Sequence, residues 1–153
     1  MNTLINQTRQ VTKAKWLIYL LAVILSGCSR VVLVPDYSAG IEAEIVNGAM
    51  LNDKLYLDLA DAQPSKREYI DFSERYSSVE AVINSIQLKN EIRQKNTDML
   101  AIINNLKAAF TKYRDEHKKN NTLSDGEVKA DQAFIKAFWK PLLIAEHGLK
   151  NAK

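Results

Sequence analysis

Apolar residues fall along this chain in two patterns, separated and interrupted by polar stretches. Residues 16–25 form an unbroken apolar run, Trp-Leu-Ile-Tyr-Leu-Leu-Ala-Val-Ile-Leu. From residue 38 onward the apolar positions recur every three or four residues, the period of helices with one buried face. Ile41, Ile45, Met50, Leu51, Leu55 and Leu59 predict a first helix, capped at Asp36 or Ser38 and running to Ala62, although Gly40 and Gly48 weaken it. Ser65-Lys66-Arg67-Glu68 has the Ser-x-x-Glu form of a capping box and predicts the next helix start. Residues 65–125 then contain neither Gly nor Pro. Within them Tyr69, Phe72, Tyr76, Val79, Ile83 and Ile86 form one seam; Leu88, Ile92, Met99, Ile103, Leu106, Phe110 and Tyr113 form a second with a slipped phase. Residues 89–98, between the seams, are almost wholly polar. They read either as the exposed middle of one long helix spanning residues 65–119 or as a turn at Asn96-Thr97-Asp98, and the long helix is the preferred reading. Asn120-Asn121-Thr122 breaks the pattern, and Ser124-Asp125-Gly126-Glu127 supplies another capping box. The last helix carries Val128, Phe134, Ile135, Phe138, Trp139, Leu142 and Leu143, with Pro141 expected to kink or split it. Strand-like alternation is absent, so the expected fold is all-α: a small helical bundle or long helical hairpin of three to four helices.

The apolar run at residues 16–25 needs a different explanation, because a stable membrane-spanning helix takes about 20 apolar residues. A basic stretch with Arg9, Lys13 and Lys15 and no acidic residue precedes it, and Leu25-Ser26-Gly27-Cys28 follows at once. That is the order of a secretory signal: charged start, apolar centre, small-residue cleavage site. The tetrapeptide resembles the lipobox of bacterial lipoproteins, a Leu, two small residues and a Cys, and all four positions match. The resemblance implies that residues 1–27 are a cleaved signal peptide, that the thiol of Cys28 receives a diacylglycerol group, and that cleavage frees an amino terminus open to acylation as well. Small side chains before the Cys let an extended backbone enter a peptidase cleft. Several acyl chains, at about 0.8 kcal/mol per buried CH₂, hold where one would be marginal. Residues 28–37 would then be the lipidated N-terminus and tether, although Val31-Val32-Leu33-Val34 is apolar for a free linker, and residues 38–153 the helical domain. In that family an Asp directly after the Cys commonly retains the protein on the inner membrane; Ser29 stands here, which implies the outer membrane in a host with two. The competing reading is an uncleaved anchor over residues 16–34 with Arg30 snorkelling at its end.

Removing the signal changes the charge picture. The chain has 21 basic and 18 acidic side chains, and three of the basic ones lie in residues 1–27, which leaves 18 against 18. The mature domain therefore offers no global electrostatic attraction for nucleic acid. The single cysteine excludes an intramolecular disulfide.

The residues also fail to assemble a known chemistry. His117 and His147, the two histidines, are far apart and outside any Glu-x-x-His arrangement, and each reads as a solvent-facing helix residue. The loop around Gly126 fails as a calcium site, because Leu123 and Gln132 fall where oxygen ligands belong. No nucleophile-elbow pattern accompanies the histidines, and Asp115, Glu116 and His117 are adjacent and so point to different helix faces. The glycines are isolated, so no phosphate-cradling loop is formed. No metal, cofactor or catalytic set is expected. Phe134, Phe138 and Trp139 could face a partner or an apolar ligand but more often form core at this spacing. The expected protein is a lipid-anchored, non-catalytic helical interaction module of the cell envelope, an adaptor, inhibitor or assembly factor, with an envelope protein as partner and the membrane held through Cys28. The alternative is a lipid-anchored bundle that binds an apolar small molecule between its helices. In the first case Lys89, Arg93 and Lys95 would be surface residues available for recognition.

Overall fold

The computed structural model describes residues 34–152. The expected signal peptide, its lipobox and Cys28 lie outside the described residues, as does most of the tether.

Ser38 ends an extended lead-in and accepts the Ile41 amide on its hydroxyl at 3.4 Å, so the first helix, α1, runs over Ala39–Asp61. A one-turn 3-10 helix, Pro64–Lys66, follows. Then come α2 (Tyr69–Glu91), α3 (Thr97–Asn120) and α4 (Asp125–Gly148), closed by a second 3-10 turn, Leu149–Asn151. Among the described residues there is no strand, and no helix is long and apolar enough to cross a membrane. Helices α1 and α2, α2 and α3, α3 and α4, and α4 and α1 pack together, which closes a ring of four.

Side-chain bridges show that the neighbours run antiparallel. Near its start α1 meets the end of α2 through Glu44 and Lys89, and near its end it meets the start of α2 through Asp58 and Arg75. The same crossing of early with late residues joins Tyr76 to His117 and Glu42 to His147. The result is an up-down-up-down four-helix bundle with short loops. Its core takes the predicted seams: Ile41, Ile45, Leu55 and Leu59 from α1; Phe72, Tyr76, Val79, Ile83 and Ile86 from α2; Met99, Ile103, Leu106 and Phe110 from α3; Val128, Ile135, Trp139 and Leu142 from α4. Met50, Leu88 and Ile92, expected on those seams, are exposed instead.

The single long helix over residues 65–119 is not formed. The chain leaves the helix after Glu91, and Lys95 takes a left-handed φ of 53°. Two buried asparagines supply the alternative to helical bonding: Asn96 Nδ2 donates to the Asn90 carbonyl and to Asn90 Oδ1, both at 2.8 Å, while Asn90 Nδ2 donates to the Ile86 carbonyl. Short amide side chains compete with the backbone ladder in this way and favour turns. The helix is therefore broken by a turn, as in the alternative reading, but over residues 92–96: Thr97 and Asp98 already belong to α3, and Asn96 precedes it without a side-chain cap bond.

The first capping box also fails. Glu68 is the N-cap of α2 and makes no side-chain cap bond, because the preceding turn carries Arg67 into the interior. The second box forms in full, with Ser124 accepting from the Glu127 amide and Glu127 reaching back to the Ser124 amide. Pro141 does not split α4, which continues through it to Gly148.

Candidate functional site

The seam between α1 and α4 carries open apolar ground. Gly48 lets the two helices meet closely: a Cβ there would lie 2.3 Å from Trp139 Cη2, 2.7 Å from Cζ3 and 3.0 Å from Val82 Cγ1. The sequence marks Gly48 as a weak point of the helix; the structure makes it the seat of the Trp139 indole. Trp139 is 3% exposed, and its Nε1–H has no hydrogen-bond partner among the described residues. Beside it a groove of about 280 Å³ has Ile45, Ala49, Trp139 and Leu143 as its apolar floor. Asp53, Lys136 and Lys140 form the rim, where Lys136 Nζ meets Asp53 Oδ2 at 3.0 Å. By helical geometry Val46, Met50 and Leu57 lie on the same flank of α1 as Ala49 and Asp53. All three are exposed, Met50 at 65%, so an apolar shoulder continues from the groove outward.

Polar groups also enter the bundle interior. Among the described residues neither amide atom of the fully buried Asn52 finds a partner, and neither does the Tyr56 hydroxyl. Burial pushes the Asp131 carboxyl up to about 6, aided by the charges of Glu116 and Glu127. Burial also raises the Tyr56 and Tyr76 hydroxyls far above the usual tyrosine value, so both stay protonated. Among the described residues no group of three or more His, Cys, Asp or Glu side chains is placed to hold a metal ion.

At the end where the described chain begins, α1 starts, α2 and α4 end, and a polar clamp holds the lead-in. Arg93 Nη1 donates to Glu146 Oε2 at 2.7 Å and to Asn90 Oδ1 at 2.9 Å, and Nη2 donates to the Asp36 carbonyl. Glu146, wholly buried, accepts the Ser38 amide on Oε1 at 2.7 Å. Next to this clamp the Tyr37 hydroxyl, His147 and Lys150 converge on Glu42 and hold its carboxyl down at about 2, the Tyr37 bond contributing most. Arg93 is thus a structural residue, not the free surface charge expected from the polar stretch. Lys89 is paired with Glu44, whereas Lys95 is exposed.

The opposite end contains the other misread residue. His117 is fully buried, not solvent-facing. Its Nδ1 lies 3.0 Å from the Tyr76 hydroxyl and its Nε2 2.9 Å from the Arg67 carbonyl. A carbonyl can only accept, so Nε2 carries the proton and Nδ1 accepts from Tyr76. Burial pushes the imidazolium pKa down, which favours this neutral tautomer. Both nitrogens are engaged, which leaves no lone pair for a metal or a substrate proton. His147 is exposed as expected, 2.7 Å from Glu42.

The predicted aromatic group is divided. Trp139 faces the α1 side, while Phe134 and Phe138 stack edge-to-face with each other and Phe134 with Tyr113 of α3. The groove itself was missed at the sequence level; the available signal was Gly48 in phase with Ile41, Ile45 and Leu55, a small residue on a buried face. Comparison of the chain with protein-family models, with curated proteins and with solved structures finds no match to any of them.

Proposed function

We propose that this chain is a bacterial lipoprotein, acylated on Cys28, whose four-helix domain works as a non-catalytic interaction module of the cell envelope. The observation that carries the interaction reading is the apolar groove of α1 and α4 with its exposed shoulder of Val46, Met50 and Leu57. Small-molecule sites occupy about 300–1,000 Å³ and enclose most of their ligand. A groove of about 280 Å³, open at its rim, better suits one or two apolar side chains from a partner protein, in the manner of an anchor residue entering a pocket. The rim pair Asp53 and Lys136, with Lys140 beside it, would read the polar border of such a partner.

The small-molecule alternative has one polar group to draw on, the Trp139 indole N–H, which has no partner among the described residues but is itself buried from solvent. It lacks the enclosure expected between helices, since Phe134, Phe138 and α2 contribute nothing to the groove lining.

The test has two parts. Labelled palmitate is incorporated into the protein in its bacterial host and Cys28→Ala abolishes the labelling; a mutant that still labels overturns the lipoprotein reading. A photo-crosslinking residue at Met50 forms a discrete adduct with an envelope protein in intact cells, and Ala49→Trp, which fills the groove, removes that adduct. An adduct unchanged by Ala49→Trp would place recognition elsewhere.

A further inference from the structure

The clamp at Arg93 fixes where the anchor leaves the domain. Its guanidinium holds the Asp36 carbonyl, and Glu146 holds the Ser38 amide, so the chain is gripped at the bundle end formed by the start of α1 and the α2–α3 turn. Cys28 lies eight residues before Asp36, a span of at most about 29 Å when fully extended. The bundle is longer: helices of 23 and 24 residues are about 35 Å long. A domain tethered at Cys28 therefore cannot stand on its far end, because Asp36 would then lie beyond the reach of the tether.

The gripped end also carries apolar groups that are exposed among the described residues. Ile92 is 82% exposed, and Leu88, one helical turn before it, is exposed on the same side. Ile92 is the immediate neighbour of Arg93, the residue that holds the lead-in. Of the flanking charges Lys89 is paired with Glu44 and Arg93 with Glu146, while the exposed Glu91 and Lys95 are of opposite sign, so the corner offers apolar surface with no net charge to draw it to an anionic lipid. Single exposed apolar residues are ordinary on a protein surface, but these two coincide with the exit point of the tether.

We infer that the corner of Leu88 and Ile92 rests in the headgroup region of the phospholipid surface, so that the bundle stands end-on and turns the α1–α4 groove sideways. The inference rests on acylation of Cys28. The contact is apolar, so it forms on zwitterionic lipid and is insensitive to salt, unlike a polybasic patch. It makes the anchor directional: the lipid supplies attachment, and the corner supplies orientation.

The test uses the full acylated protein reconstituted in zwitterionic vesicles. Ile92→Cys places a free thiol there, Cys28 being blocked by its acyl group, and a polarity-sensitive fluorophore on that thiol should shift to the blue and be quenched by spin-labelled lipid. Labels at Lys119→Cys, on the far end, and at Met50→Cys, on the groove shoulder, should do neither. A label at Lys95→Cys guards against insertion driven by the fluorophore: its quenching should fall severalfold when Ile92→Asp is added. If the protein floats with the vesicles but the label at residue 92 is no better quenched than that at 119, the end-on contact is wrong. Quenching at residue 50 in place of 92 also overturns it, because the domain then lies on its side. Failure to incorporate palmitate or to float with the vesicles removes the lipoprotein reading and this inference with it.

Discussion

An arginine closes each end of the bundle, Arg67 fully buried and Arg93 partly so, and the two are satisfied in different ways. Arg67 at the far end donates to the carbonyls of Ala62 and Leu123 at 3.0 Å and of Ala60 at 3.4 Å, then reaches Asp125, which is 71% exposed. Arg93 at the gripped end faces Glu146, a carboxylate with no exposed surface. The far end therefore spreads one buried charge over peptide dipoles and leaves the counter-charge in water. The gripped end confines two charges together, with Asn90 Oδ1 and the Asp36 carbonyl as further acceptors for Arg93. A buried ion pair of that kind contributes little net stability over an apolar pair, but breaking it leaves a charge uncompensated.

The largest expected effect follows directly. Glu146→Ala should cost about 3–5 kcal/mol in urea unfolding, because it strands the Arg93 guanidinium and the Ser38 amide. The double change Arg93→Met with Glu146→Leu should recover much of that loss. Equal costs for the single and double variants would show that the ion pair is not the source of the dependence.

The next effect is one of pH and belongs to the far end. His117 has its pKa lowered by burial from the ordinary 6.5, so between that value and its folded one the unfolded chain binds more protons. Stability should therefore fall as pH drops below 6.5. Asp131 works in the opposite sense. Its carboxyl is raised from 3.8 to about 6, so the folded chain binds more protons in that window and loses stability as pH rises through about 6. Asp131→Asn should raise stability at pH 7 on the order of 1–2 kcal/mol and expose the His117 slope alone. Melting curves from pH 4 to 8 check both signs.

The smallest effect sharpens the contrast between the arginines. Asp125→Asn removes the carboxylate partner of Arg67, yet that partner is largely solvated and three carbonyls remain. The expected cost is below about 1 kcal/mol, including its loss from the first turn of α4. A loss as large as that from Glu146→Ala would erase the distinction between the two ends.

The helices were legible because their seams are regular, and so, in retrospect, were several buried polar residues. Asn90 continues the steps of Val79, Ile83 and Ile86; His117 continues those of Leu106, Phe110 and Tyr113; Glu146 continues those of Ile135, Trp139 and Leu142. Reading His117 as solvent-facing let its polarity outweigh its phase. The phase was the better guide, because Tyr76 and the Arg67 carbonyl satisfy the ring. Arg67, Arg93 and Asn96 carry no such signal. They sit in turns, where burial depends on which carbonyls and carboxylates the rest of the fold brings near. The same holds for Leu88 and Ile92, whose spacing suits a core seam but whose phase, set by the helix that ends at Glu91, turns them outward. The groove was illegible beyond Gly48, since it requires knowing that α1 pairs with α4.

That pairing also has a consequence in time. The Ser38–Glu146 bond joins residues 108 apart, and α1 meets α4 along its whole length. On the lipoprotein reading the chain folds after export, with α1 emerging first and α4 last, so α1 has only α2 to lie against until α4 arrives. Until then the flank of Ile45, Gly48 and Ala49 has no covering helix. Closing the ring is the slow, long-range step of assembly. Trp139 is the single tryptophan of the described chain, and its indole reaches Gly48 only when that step is complete. Its fluorescence is thus a built-in clock for the moment when the last helix docks on the first.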